Sequence, residues 1–102
     1  MGRPRSELQS LLRDVLGSSQ VYFQKPSNTQ MLYPAIVYKY DYASTRFGNN
    51  LPYSITKRYE ITVMDRNPDS DIPDKIAKLP MCVFDRFFVV DGLNHFVYKL
   101  FF

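Results

Sequence analysis

The stretch that most narrows what this chain can fold into runs from Tyr53 to Leu79. Within it, Ser54 to Val63 alternates: Ile55, Tyr59, Ile61 and Val63 fall on one side and Thr56, Arg58, Glu60 and Thr62 on the other, the pattern of a strand with one buried and one wet face. Lys57 is the exception on the buried side, placed near the strand end where its ammonium can snorkel to water. The strand runs into Asp65-Arg66-Asn67-Pro68-Asp69-Ser70-Asp71 and then a short helix with Ile72, Ile76 and Leu79 as its apolar stripe. Ser70 or Asp71 can cap that helix, Pro73 sits in the first turn where no amide partner is needed, and Pro80 ends it. A half-wet strand feeding a short amphipathic helix calls for a sheet with helices on one face.

The rest of the chain fits the same plan. Leu8, Leu11, Leu12, Val15 and Leu16 recur at helical spacing, which predicts a helix over 7–16 stopped by Gly17. Ser6 and Gln9 read as its capping box, and residues 1–5 as a flexible N-terminal arm. Val21-Tyr22-Phe23 is a short strand and Gln24 to Gln30 a polar loop. Pro34 to Tyr40 is a second strand, with Pro34 tolerable only at its start or on an edge. Asp41 to Pro52 reads as a loop longer than the two to five residues of a tight hairpin. Tyr42, Phe47, Leu51 and Tyr53 are costly to leave in water there, so the segment is expected to touch a neighbouring subunit.

Phe84 to Val90, a turn at Asp91-Gly92-Leu93-Asn94, and His95 to Phe102 form a hairpin. Phe96, Tyr98, Leu100 and Phe102 share one face, while Val97 and Phe101 lie on the other with Phe88 and Val90. Two short helices cover only one sheet face, so apolar surface remains at this hairpin. Val97 and Phe101 therefore join Tyr42, Phe47 and Leu51 as candidate subunit-interface residues. The expected architecture is one α+β domain over 1–102 in the order α-β-β-β-α-β-β, its sheet mostly antiparallel and its two helices packed on one face.

Several function classes lose their footing on residue grounds. At 102 residues, 45% hydrophobic and 16% aromatic, the chain can build a core, and it is too apolar to be disordered. No apolar run approaches the ~20 residues of a membrane span, and no signal-peptide core follows Met1, so a cytosolic origin without a membrane partner is expected. Asp65, Asn67, Asp69 and Asp71 alternate like calcium ligands, but Pro68 interrupts them, the turn glycine is missing and no bidentate Glu follows. Asx turns and helix capping account for them better. One cysteine, Cys82, and one histidine, His95, make no zinc ligand set, and Cys82 between Met81 and Val83 reads as a small buried hydrophobe. No nucleophile is paired with a base and no glycine-rich phosphate loop is present, so neither enzyme activity nor a metal or other cofactor is expected.

The formal net charge of +3 comes from scattered Lys and Arg, which is weak ground for nucleic-acid binding. Tyr38, Tyr40 and Tyr59 with Lys57 and Arg58 could form a base-stacking sheet. The element order differs from that module, and cross-strand core pairing explains these tyrosines more economically. A small nucleic-acid-binding module remains as the minority alternative.

Taken together, Tyr33 to Tyr38, Lys57 to Ser70, Ile72 to Ile76 and Leu93-Asn94-His95 resemble the tail terminator, or tail completion, proteins in the neck of long-tailed bacteriophages. The likeness runs through nearly the whole chain from Glu7 on overall pattern and without a chemically diagnostic motif. Head-tail connector and head-closure proteins of the same neck are the neighbouring alternatives. The resemblance implies a structural virion protein, made in the cytoplasm of a bacterial host. It implies a ring, usually of six subunits, that caps the tail tube, stops its polymerisation and offers the docking surface for the filled head. Its partners are then further copies of itself, the tail tube protein and a connector or head-closure protein, with DNA passing the lumen without specific binding.

Overall fold

A computed structural model describes residues 4–24, 32–48 and 51–102, and for 42–48 and 51–56 the backbone alone. In chain order the elements are helix α1 (Arg5–Leu16), strands β1 (Val21–Phe23), β2 (Ala35–Gly48) and β3 (Leu51–Asp65), helix α2 (Ile72–Ala77), and strands β4 (Cys82–Val90) and β5 (Leu93–Phe101). They form one five-stranded sheet in the order β1-β2-β3-β5-β4. Among the described strands only β1 and β2 pair in parallel; the other pairs are antiparallel. This is the expected α+β architecture.

The core sits between the helices and one sheet face. Leu8 and Leu12 of α1 and Ile72 and Ile76 of α2 close over Ile36, Tyr38, Tyr59, Ile61, Val63, Tyr98 and Leu100. The period of two read from β3 holds where side chains are described, with Tyr59, Ile61 and Val63 buried and Arg58, Glu60 and Thr62 on the other face. Ile55 and Thr56 lie outside the described side chains. Lys57 is half-buried, its ammonium 5.4 Å from the Tyr40 ring centre.

The start of α1 corrects the sequence reading. Pro4, extended at φ −63° and ψ 146°, is the cap residue, and Arg5 is already helical. Ser6 is therefore inside the first turn and the capping box does not form; the remainder of the expected arm, 1–3, lies outside the described residues. Gln9 is used across the core boundary instead. Its amide donates to the Val21 carbonyl at 3.0 Å and its carbonyl accepts from the Tyr38 hydroxyl, fastening α1 to β1 and β2. The C-terminus is as expected, with Gly17 left-handed at φ 78° and its amide on the Arg13 carbonyl at 2.8 Å.

The acidic turn before α2 is held by its own side chains. Asp65 accepts from the Asn67 amide and Asn67 from the Asp69 amide, both at 3.0 Å, which are Asx turns. Ser70 Oγ accepts from the Ile72 amide at 3.3 Å. Buried Asn94, read as a turn residue, is in β5 and donates to the Asp65 and Arg66 carbonyls at 3.0 and 3.3 Å.

The largest correction falls on Asp41 to Pro52, expected as a loop. β2 continues to Gly48 and β3 begins at Leu51, so this segment is the far half of one long hairpin whose ladder reaches Gly48 opposite Leu51. Asp41, which looked like a strand stop, is accommodated at a register shift between Tyr40 and Tyr42 and by cations on its face. Beyond it, Tyr42, Thr45 and Phe47 are good strand formers.

Candidate interaction surface

Among the described residues, two features besides the short edge strand β1 are left without a strand partner, and both follow from strand order. The first is β4, which pairs with β5 on one side and has nothing on the other. Phe84, Phe87 and Val89 on the helix side are 53%, 48% and 53% exposed, and Val83, Phe88 and Val90 on the opposite side are 63%, 37% and 50% exposed. An apolar edge strand open on both faces is a template for another chain unless something covers it. The Asp91-Gly92 turn, with φ of 53° and 74°, holds β4 in register with β5, and two consecutive positive φ values are what a tight hairpin turn demands. A register shift between Phe84 and Arg86 divides the edge, leaving Arg86 to Val90 as its regular half.

The second is the far end of the β2–β3 hairpin. β1 reaches β2 only at Ile36 to Tyr38, and β5 leaves β3 at Arg58 opposite Phe101. Among the described residues, from Ser44 to Gly48 and back from Leu51 to Thr56 the two strands pair with each other alone. Five residues of strand span about 17 Å. The arm lengthens the molecule to 52 × 26 × 23 Å with a radius of gyration of 14.7 Å, against about 13 Å for a compact chain of this size. A lone two-stranded ribbon is marginal in water and gains most from contact with something else.

Between these features, the helix-free face carries an ion-pair network. Glu60 lies 3.1 Å from Lys99, 3.3 Å from Lys39 and 3.5 Å from Arg86, and Asp41 lies 2.7 Å from Arg58 and 3.0 Å from Lys99; Arg86 also meets Asp85. Hydrogen bonding from Lys99, joined by Arg58, holds the Asp41 carboxyl below its ordinary pKa. For Glu60, burial pushes the pKa up, but Lys99 and Lys39 outweigh it and the net direction is down. Burial likewise works against the Lys99 ammonium, and Asp41 and Glu60 overcome it to raise its pKa.

The structure separates the five candidate interface residues. Tyr42, Phe47 and Leu51 are all on the projecting hairpin, with side chains outside the described set. Phe101 is half-buried at the end of β5, 5.9 Å from the Arg58 guanidinium. Val97 is fully buried, between Thr62 and Arg86 in the ladder, so its side chain has no surface to offer. The exposed apolar residues are one strand further out, on β4. Their signal was present as the run Phe84 to Val90, apolar on both faces; what was missing was that β4 and not β5 forms the edge.

Other candidate chemistry is dispersed. Cys82 pairs with Leu100 on the helix side and His95 with Phe88 on the opposite face, at the two ends of the same hairpin. The free Cys82 thiol packs against the core, and burial raises its pKa. His95 stacks on Phe88 at 4.5 Å between ring centres, its Nδ1 3.0 Å from the Leu93 carbonyl. Tyr38 and Tyr59 are fully buried under the helices, Tyr40, 44% exposed, stacks on Tyr59 at 5.0 Å, and Arg58 is on the opposite face, so two of the three tyrosines belong to the core and only Tyr40 presents a ring to solvent. Among the described residues no group of His, Cys, Asp or Glu gathers as a metal site, and no helix is long and apolar enough to cross a membrane. A cavity of about 220 Å³ opens where Leu11, Leu79, Met81 and Phe102 meet below β4. Comparison with models of protein families, with curated proteins and with solved structures found no match.

Proposed function

We propose that this chain is a structural virion protein, a tail terminator that assembles with its own copies into a ring on the phage tail tube. In that role it stops tube polymerisation and presents the surface to which the filled head docks. The observation that supports this reading best is the pair of unpartnered features: an apolar edge at β4 and a projecting two-stranded arm. A domain offering two different surfaces is suited to head-to-tail contacts, which close into rings when the rotation per subunit permits. The sequence resemblance supplies the expectation of six copies and the tube as partner.

The test is addition of the purified chain to polymerising tail tube protein, followed by electron microscopy. Tubes that stop lengthening and carry a ring at one end support the reading. Tubes that grow unchanged, with the chain free in solution, overturn it.

A further inference from the structure

We propose that the projecting hairpin of one copy adds, through the outer edge of its β2 segment Tyr42 to Arg46, to the open edge of β4 at Arg86 to Val90 in a second copy. This inference rests on the ring reading and names the two surfaces that close it.

No described residue satisfies either feature. β4 is separated from the hairpin's β3 by the whole of β5, and the arm runs on past Arg58 and Lys57, the last β3 residues that pair with Phe101 and Phe102. The two surfaces also match in extent. The regular ladder of the arm runs from Tyr42 to Arg46 before a register shift at Phe47, and the regular half of the β4 edge runs from Arg86 to Val90 after the shift at Phe84. Both are five residues, about 17 Å of strand. The β2 side of the arm is the better donor, because Pro52 on the β3 side has no amide to contribute to a ladder. Strand addition supplies main-chain hydrogen bonds and covers both faces of an edge at once, which is what β4, exposed on both faces, requires. One arm and one edge per copy leave none unmatched in a closed ring. Pairing of β4 with β4 leaves every arm bare.

Two variants test this by complementation. In the first, residues 44–56 are replaced by Asn-Gly, joining the paired Ala43 and Lys57 and removing the arm. In the second, Phe87→Lys with Val89→Lys charges the β4 edge at positions that already face solvent. Masses are measured at micromolar concentration, with cooperative melting as the check of folding; should the trimmed chain not melt cooperatively, Ser44→Pro in the full-length chain takes its place. The expected result is assembly of the unaltered chain, monomers from each variant alone, and one-to-one dimers from their mixture, because each supplies the half the other lacks. An arm-less variant that still dimerises alone, or a mixture that stays monomeric while the unaltered chain assembles, overturns this inference and leaves the ring reading standing. An unaltered chain that remains monomeric both alone and with tail tube protein overturns both.

Discussion

The Phe87 ring packs on Phe96 with 4.9 Å between centres and a 50° tilt, and where Phe96 settles against the core, Phe87 stands half in water. The pair carries the core out to an edge strand whose outer side no described strand covers. Phe87→Ser should therefore cost the folded monomer little, about 1 kcal/mol from the lost ring pair. It should weaken assembly by roughly 1.5–3 kcal/mol, because the remaining burial arises only against a partner. A thermal melt and a mass profile over a dilution series check the two numbers separately. A large drop in melting temperature with unchanged assembly contradicts the assignment of β4 as an interface.

Phe47 and Leu51 belong to the projecting hairpin. Replacing both by Ser should impair assembly more than folding, each losing burial worth about 1.5–3 kcal/mol when the partner is present. Equal oligomer mass and equal dilution behaviour in the double variant removes the arm from the contact.

The helix-free face sets a pH signature. Asp41 and Glu60 titrate below their ordinary values of 3.8 and 4.5, so their contribution is complete above those values and is lost as pH falls through the lower folded ones. Lys99 is raised above 10.5 and Tyr59, chiefly by burial, is pushed up to about 12 from 10.0. Their contributions are complete below the ordinary values and decline as pH rises through the folded ones. Denaturation midpoints should be flat from about pH 5 to 9 and fall on both sides. Asp41→Asn with Glu60→Gln should flatten the acid limb; an unchanged acid limb contradicts the network's role.

Cys82 and His95 are set on opposite faces of one hairpin. Cys82→Ala and His95→Gln should leave assembly and tube capping near the unaltered level, with a cavity cost of about 1 kcal/mol or less at Cys82. Loss of capping by a variant that folds and assembles points to chemistry at one of these groups.

Binding of DNA should be weak. On the helix-free face Lys39, Arg58, Arg86 and Lys99 are engaged by Asp41, Glu60 and Asp85, which leaves little uncompensated charge there for phosphates. An anisotropy titration at near-physiological salt should give a Kd of roughly 10⁻⁴–10⁻⁶ M. Submicromolar binding with a steep salt slope by a monomer favours the nucleic-acid module instead.

Where a side chain's role is local, the sequence was readable. The α1 stripe, the alternation of Tyr59, Ile61 and Val63, the Asx turns at Asp65 and Asn67 and the Asp91-Gly92 hairpin all depend on neighbours a few residues away. What it hid was non-local. Gln9 looked like a capping residue because Ser6 stood three positions earlier, yet its partners Val21 and Tyr38 are 12 and 29 residues distant. Asp41 looked like a strand end because its cations, Arg58 and Lys99, come from other strands. Periodicity points to leftover apolar surface at the C-terminal hairpin but puts it on Val97 and Phe101, of which Val97 is buried and Phe101 half-buried. Which strand of a hairpin faces inward depends on the β3–β5 pairing, 35 residues apart at Thr62 and Val97, and periodicity within the hairpin is silent on it.

The most direct test of the central claim is the mass of the purified chain at micromolar concentration, alone and with tail tube protein. The account predicts a closed oligomer near six times the 12.0 kDa chain mass, either alone or once the tube end is present. A chain that stays at 12.0 kDa under both conditions contradicts it.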